Sequence, residues 1–119
     1  MAIRLFCDEH VDHDLAPALW HREPAFQVLY VGGEGVPPHR TPDLELIRFA
    51  EREQFSLLTM DRNTLLGDVS KHWAAGGHTW GVFVIDPWAS WGKLIDDLLL
   101  IWSASAPEDW RDRIEFIPW

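Results

Sequence analysis

Five short apolar runs punctuate this chain, and a stretch with helical character lies between each run and the next. The runs are Ile3 to Cys7, Phe26 to Val31, Phe55 to Met60, Trp80 to Ile85 and Ile114 to Ile117. Runs of this length that are apolar throughout suit strands buried on both faces. Strands that alternate with helices imply a mostly parallel sheet covered on both sides, since each crossover needs a helix to return the chain. The expected fold is α/β, a three-layer α/β/α arrangement with a mostly parallel central sheet. At 119 residues, with no linker, repeat or low-complexity segment, the chain reads as one domain, 1–119.

The intervening segments carry their own signals. Asp12 or Asp14 can cap a first helix bearing Leu15, Ala18 and Leu19, with Pro17 tolerated in its first turn. Gly32 to Arg40 is rich in Gly and Pro and reads as a loop at the rim of the sheet. Thr41-Pro42 reads as a helix start, Thr41 as cap and Pro42 in the first helical position. Leu46, Ile47 and Ala50 then make the apolar face, with Arg48, Glu51 and Arg52 in water. A short helix is expected from Asp68 to Ala75, stopped by Gly76-Gly77. Another is expected from about Ser90 to Ser103, followed by a helical turn over Pro107 to Arg113.

Charge and cysteine content narrow the function. Lys plus Arg is 10 and Asp plus Glu is 19, a formal charge of −9. Bulk electrostatics of that sign will not hold a nucleic acid duplex, although cations that neutralise a carboxylate cluster would let the chain grip a phosphodiester. Folded composition is evident in 47% hydrophobic and 24% charged residues, which excludes general disorder. A single cysteine, Cys7, excludes an intrachain disulfide and a multi-thiolate zinc site. Cys7 itself reads as a core residue. The N-terminal residues lack the basic and apolar regions of a signal peptide, and Asp96 and Asp97 interrupt the apolar stretch Leu94 to Trp102. A reduced, cytoplasmic protein without a membrane span is expected.

In open parallel sheets ligands bind beyond the carboxyl ends of the strands. Asp8, Asp61 and Asp86 follow the first, third and fourth strands, and Asp43 lies in the first turn of the helix after the second. These acids can meet at one rim. Clustered carboxylates bind Mg²⁺ or Mn²⁺ through oxygen, and such ions can direct an in-line attack on a phosphodiester. Taken singly, each acid also suits a helix cap or a solvated strand end.

Ile-Arg-Leu-Phe-Cys-Asp-Glu-His, Thr-Pro-Asp-Leu-Glu-Leu-Ile-Arg-Phe-Ala and Leu-Leu-Thr-Met-Asp-Arg-Asn occur in that order. This ordered set resembles the small stand-alone PIN-like domains, relatives of the VapC-type toxin ribonucleases, over roughly residues 3 to 86. The resemblance implies that Asp8, Asp43 and Asp61 hold a divalent metal and are catalytic, with Asn63 and Asp86 as further contributors. It also implies metal-activated water attacking an RNA phosphodiester, and an antitoxin protein as partner. The chain departs from the pattern at His10, where Asn is usual, at Met60, where Arg is usual, and at Asn63, where a further acid is usual. Asn63 offers a carbonyl oxygen without charge. Glu9 and His10 carry no assigned role.

Other constellations are thinner. His10 and His13 could bracket a metal if their segment were helical, but no third spaced ligand accompanies them. His39, His72 and His78 are scattered, as loop residues would be. Gly32-Gly33-Glu34-Gly35 runs into Pro37-Pro38 and not into a helix N-terminus with Lys, so it is a rim loop before it is a phosphate cradle. Seven of the eight tryptophans lie between Trp73 and Trp119. Trp88, Trp91, Trp110 and Trp119 fall in or beside turns, where aromatic rings favour protein interfaces, and a homodimer or a stable hetero-complex is expected. Two alternatives to the nuclease remain: a degraded PIN-like binding module using that Trp-rich surface, and a phosphoryl-accepting receiver domain with Asp61 as acceptor. Against the receiver, Asp86 takes the place of the fourth strand's usual Ser or Thr, and no Lys ends the last strand.

Overall fold

The computed structural model describes all 119 residues. Five strands, β1 (Leu5–Cys7), β2 (Val28–Tyr30), β3 (Ser56–Thr59), β4 (Val82–Ile85) and β5 (Ile114–Ile117), alternate with four helices. The helices are α1 (Leu15–Arg22), α2 (Asp43–Glu53), α3 (Thr64–Ala74) and α4 (Trp91–Ala104), and a 3-10 turn over Pro107–Trp110 precedes β5. All four strand pairings are parallel, in the order β2-β1-β3-β4-β5. Cys7 stands opposite both Tyr30 and Leu58, and Ile85 opposite Ile117, so the strands end together at one rim. The expected three-layer α/β/α fold with a parallel sheet is the observed one.

Alternation along the strands divides the core between two faces. Leu5, Cys7, Leu58, Phe83, Ile85 and Ile117 pack under α1 and α4 in a cluster of 19 buried residues. Phe6, Leu57, Val82 and Val84 pack under α2 and α3 in a cluster of 11. Cys7 is buried in the first cluster, and burial pushes its thiol far above the ordinary range, so it is a core residue and not a nucleophile.

The connections differ in hand. β1 to β2 steps one way under α1; β2 to β3 and β3 to β4 step the other way under α2 and α3, on the opposite face. These three crossovers share one hand. β4 to β5 continues in the direction of β3 to β4, yet α4 lies beside α1 on the first face. That last crossover is of the opposite hand. With the others on the common right-handed path it is left-handed, an uncommon turn in parallel sheets. The second face of β5 is consequently covered only at its start, where Ile114 packs against the cluster under α2 and α3. Phe116 is 50% exposed there, with the Arg62 guanidinium 5.8 Å from its ring.

Several element ends differ from expectation, each for a local reason. Thr41 does not cap α2. The helix starts at Asp43 with Pro42 in the cap position, and the Thr41 hydroxyl instead donates to the Pro38 carbonyl at 2.6 Å. Helix α3 begins at Thr64 and not at Asp68, because Asp61 receives the N–H groups of its first turn. Asp14 holds the cap position of α1 without a side-chain bond, while Asp12 Oδ1 accepts the Asp14 N–H at 2.8 Å. Ser90 does cap α4, accepting from the Lys93 N–H at 3.2 Å. His72 lies inside α3, buried, and not in a loop; its Nε2 is 2.7 Å from Glu51 Oε1 and 3.1 Å from the His78 carbonyl. Facing two acceptors, that nitrogen carries the proton.

Candidate metal centre at the carboxyl rim

Asp8 follows β1 directly, and its N–H donates to the Leu58 carbonyl at 3.2 Å, which extends the β1–β3 pairing to the rim. One carboxylate oxygen, Oδ1, accepts the His10 N–H at 2.9 Å, and the other accepts the hydroxyl of Thr59. Thr59 is buried at the end of β3, and its oxygen also accepts the Asp61 N–H at 2.9 Å. One hydroxyl therefore joins the first and third strand ends. Thr59 was not among the residues singled out from the sequence; a lone polar residue closing an apolar strand is the signal it leaves.

Asp61, two residues before the cap position of α3, gathers the N–H groups at the start of that helix. Its Oδ1 accepts from the N–H groups of Asn63 at 2.8 Å and Thr64 at 3.0 Å, and its Oδ2 from Leu65 at 3.4 Å. Asp43 opens α2 across the cleft. Burial, and then the negative charges of Asp61, Asp68, Asp8 and Glu9, push its carboxyl above the usual aspartate range. Glu9 moves the other way. The Arg40 N–H, 2.6 Å from Oε1, is the main cause, with burial opposing and His39 assisting. Arg40 reaches that position in a left-handed backbone conformation, at φ 68.

Asp8, Glu9, His10, Arg40, Thr41, Asp43 and Asp61 line a single cleft of about 230 Å³. The three acids assigned by resemblance thus face one space. No three His, Cys, Asp or Glu side chains are gathered tightly enough to ligate an ion as they stand. Unneutralised carboxylates repel, and here Asp8 and Asp61 turn to backbone N–H and hydroxyl donors. The donor set is nonetheless all oxygen, the kind a hard divalent cation takes, and Asp43 is raised by burial and by the negative charges around it.

The remaining candidates stand apart. Asn63 holds the cap position of α3 and gives its N–H to Asp61, but it does not line the cleft. Asp86 lines a neighbouring cavity, accepts the Trp88 N–H at 2.9 Å and lies 3.8 Å from the Arg62 guanidinium. His13 stacks on Tyr30 in the turn before α1, with ring centroids 4.4 Å apart, so the His10–His13 pair is not presented on a helix. Arg40, whose N–H holds Glu9, and Asp68, whose charge raises Asp43, left no motif in the sequence. The chain matches no protein-family model, no curated protein and no solved structure, and its functional reading rests on this cleft.

Proposed function

We propose that the chain is a divalent-metal-dependent ribonuclease with a PIN-like site, in which Asp8, Asp43 and Asp61 hold Mg²⁺ or Mn²⁺. The observation that carries this reading is the lining of one cleft by acids from three separate elements, with Asp43 pushed up by burial and then by its neighbours' charges. Bound there, the ion supplies charge neutralisation and polarises a phosphodiester for attack by water. Thr59 fixes the spacing of Asp8 and Asp61, and Arg40 at the cleft wall meets the phosphate. Asn63 supports Asp61 through its N–H, a positioning role and not a ligand's. The reading places the protein in a reducing cytoplasm, with an antitoxin protein and a second copy of the chain as partners.

A second reading, a binding module with a degraded site, is favoured by the loose spacing of the acids and by exposed Trp88 and Trp119. The receiver reading is weakened by the Asp61 carboxylate, whose two oxygens are engaged by the N–H groups of Asn63 and of Thr64 and Leu65 in α3.

Thermal melts with and without Mn²⁺, on wild type and Asp61→Asn, separate these readings. Asn retains the capping oxygen, so the variant stays folded. At free ion a hundredfold above the dissociation constant, the wild type gains about 2.7 kcal/mol. The variant loses most of that gain and all RNA cleavage. An equal shift in both proteins refutes the metal site. A shift in wild type alone, with RNA left intact, favours the binding module.

A further inference from the structure

Beside the acidic cleft lies the largest cavity of the rim, about 480 Å³, between the turn after β1 and the segment joining β4 to α4. His10 lines both spaces, and Met60, the residue before Asp61, forms part of the cavity wall. A group seated in the cavity is therefore adjacent to one held over the carboxylates. Its walls are mostly apolar, with the half-exposed indole of Trp91 among them. Its ionisable groups are Asp12, Asp86 and His10, and no Lys or Arg lines it. Such a lining repels phosphate and suits a flat, neutral ring that brings N–H donors.

On the other side of the cleft the chemistry is reversed. Thr41 lines both the cleft and a groove that carries Arg48 and Arg52 against a single acid, Glu45, so its lining is net positive. Basic groove, acidic cleft and apolar cavity thus follow one another, joined by Thr41 and His10. That order fits a single strand whose phosphates run past the arginines and whose base turns into the cavity.

We propose that this cavity is a subsite for a guanine base of single-stranded RNA, read by Asp86 and stacked on Trp91; the subsite rests on the ribonuclease reading above. Carboxylates only accept hydrogen bonds. Guanine alone among the four bases presents two adjacent donors, N1–H and the N2 amino group, on its pairing edge. Adenine and cytosine place an acceptor beside their amino donor, and uracil flanks its one N–H with two carbonyls. Asp86 Oδ1 accepts one N–H, from Trp88, and lies 3.8 Å from the Arg62 guanidinium, beyond hydrogen-bond reach, which leaves acceptor capacity on both oxygens. Asp12 Oδ1 is taken by the Asp14 N–H, so Asp12 is the supporting acid.

Calorimetric titration with GMP, AMP, CMP and UMP tests the subsite, because the phosphate is common to all four and only the base varies. GMP is expected to bind tightest, and Asp86→Asn or Trp91→Ala to weaken it roughly tenfold or more. Trp88→Ala, at a residue that is 92% exposed and outside the cavity, is the control and leaves binding unchanged. Equal affinity for the four nucleotides, or a GMP preference that survives both cavity variants, overturns the subsite. The Mn²⁺ melts report on the metal reading independently, so the two failures are distinguishable. The hexamers UUGUUU and UUUUUU, titrated without divalent ion, identify the source of the base. Tighter binding of UUGUUU than of UUUUUU or GMP supports an RNA strand, and a hexamer no tighter than free GMP overturns it.

Discussion

Asp43 sits at the start of α2 with a carboxyl held above its unfolded range by burial and by four neighbouring acids. Because the folded chain binds that proton more tightly than the unfolded one, stability falls as pH rises from the unfolded value, about 3.9, through the folded one. The cost is fully present at neutral pH. Asp43→Asn should therefore raise the melting temperature of the metal-free protein at pH 7, with little effect near pH 3. Added Mn²⁺ should then stabilise wild type more than the variant. A variant that melts with wild type at both pH values would show that neither burial nor the neighbouring charges raise Asp43. The rim acids themselves were legible, since strand-ending aspartates in an α/β pattern must share an edge. Thr59 and Arg40 were not. The first acts through a hydroxyl between two strands distant in sequence, the second through a backbone N–H presented by a left-handed residue.

Helix α4 shows what an element can and cannot reveal of itself. Its apolar spacing is plain in the sequence, and the helix begins at Trp91, one residue after the expected start, with Ser90 as its cap. The sequence does not show why Asp97 sits on the buried side among Leu94, Ile95, Leu98 and Ile101. In the fold, Asp97 accepts from Lys93 Nζ and from the Trp119 N–H, each at 2.8 Å, and so ties α4 to the chain end beyond β5. Burial pushes its carboxyl up, but those donors outweigh it and hold the group below the usual range. Asp97→Ala should cost about 1–3 kcal/mol at neutral pH, since it leaves the Trp119 N–H and the Lys93 ammonium without their acceptor. The depressed carboxyl contributes stability above its unfolded value and loses it as pH falls through the folded one, so the two proteins should converge in acid. Denaturant midpoints at pH 7 and pH 3 check both statements. The misjudged start of α3 has a similar origin: its first N–H groups are received by Asp61, which the sequence pattern assigns to the strand end.

For the molecule as a whole, alternating apolar runs sufficed for the layer order and the parallel sheet, because each crossover needs its helix. The hand of the last crossover was not legible, since an apolar helix carries no mark of which sheet face will bury it. That choice leaves Phe116 uncovered on β5, and Trp88 and Trp119 are exposed on the same molecule. Self-association in the micromolar range is the expected outcome, measured by light scattering over a concentration series; Phe116→Ser should shift the mass toward that of a monomer. A mass of one chain at every concentration would count against the dimer. The reversed crossover also bears on the order of events in time. Strands β1 to β4 with α1, α2 and α3 can assemble along one winding direction, through connections no longer than a helix and its loops. Helix α4 must instead return to α1, some of the first residues of the chain, and that contact spans most of the sequence. Long closures of this kind are entropically late. The contact between α1 and α4 is then expected to form after the rate-limiting step, so that a substitution weakening it should speed unfolding more than it slows folding in stopped-flow measurements.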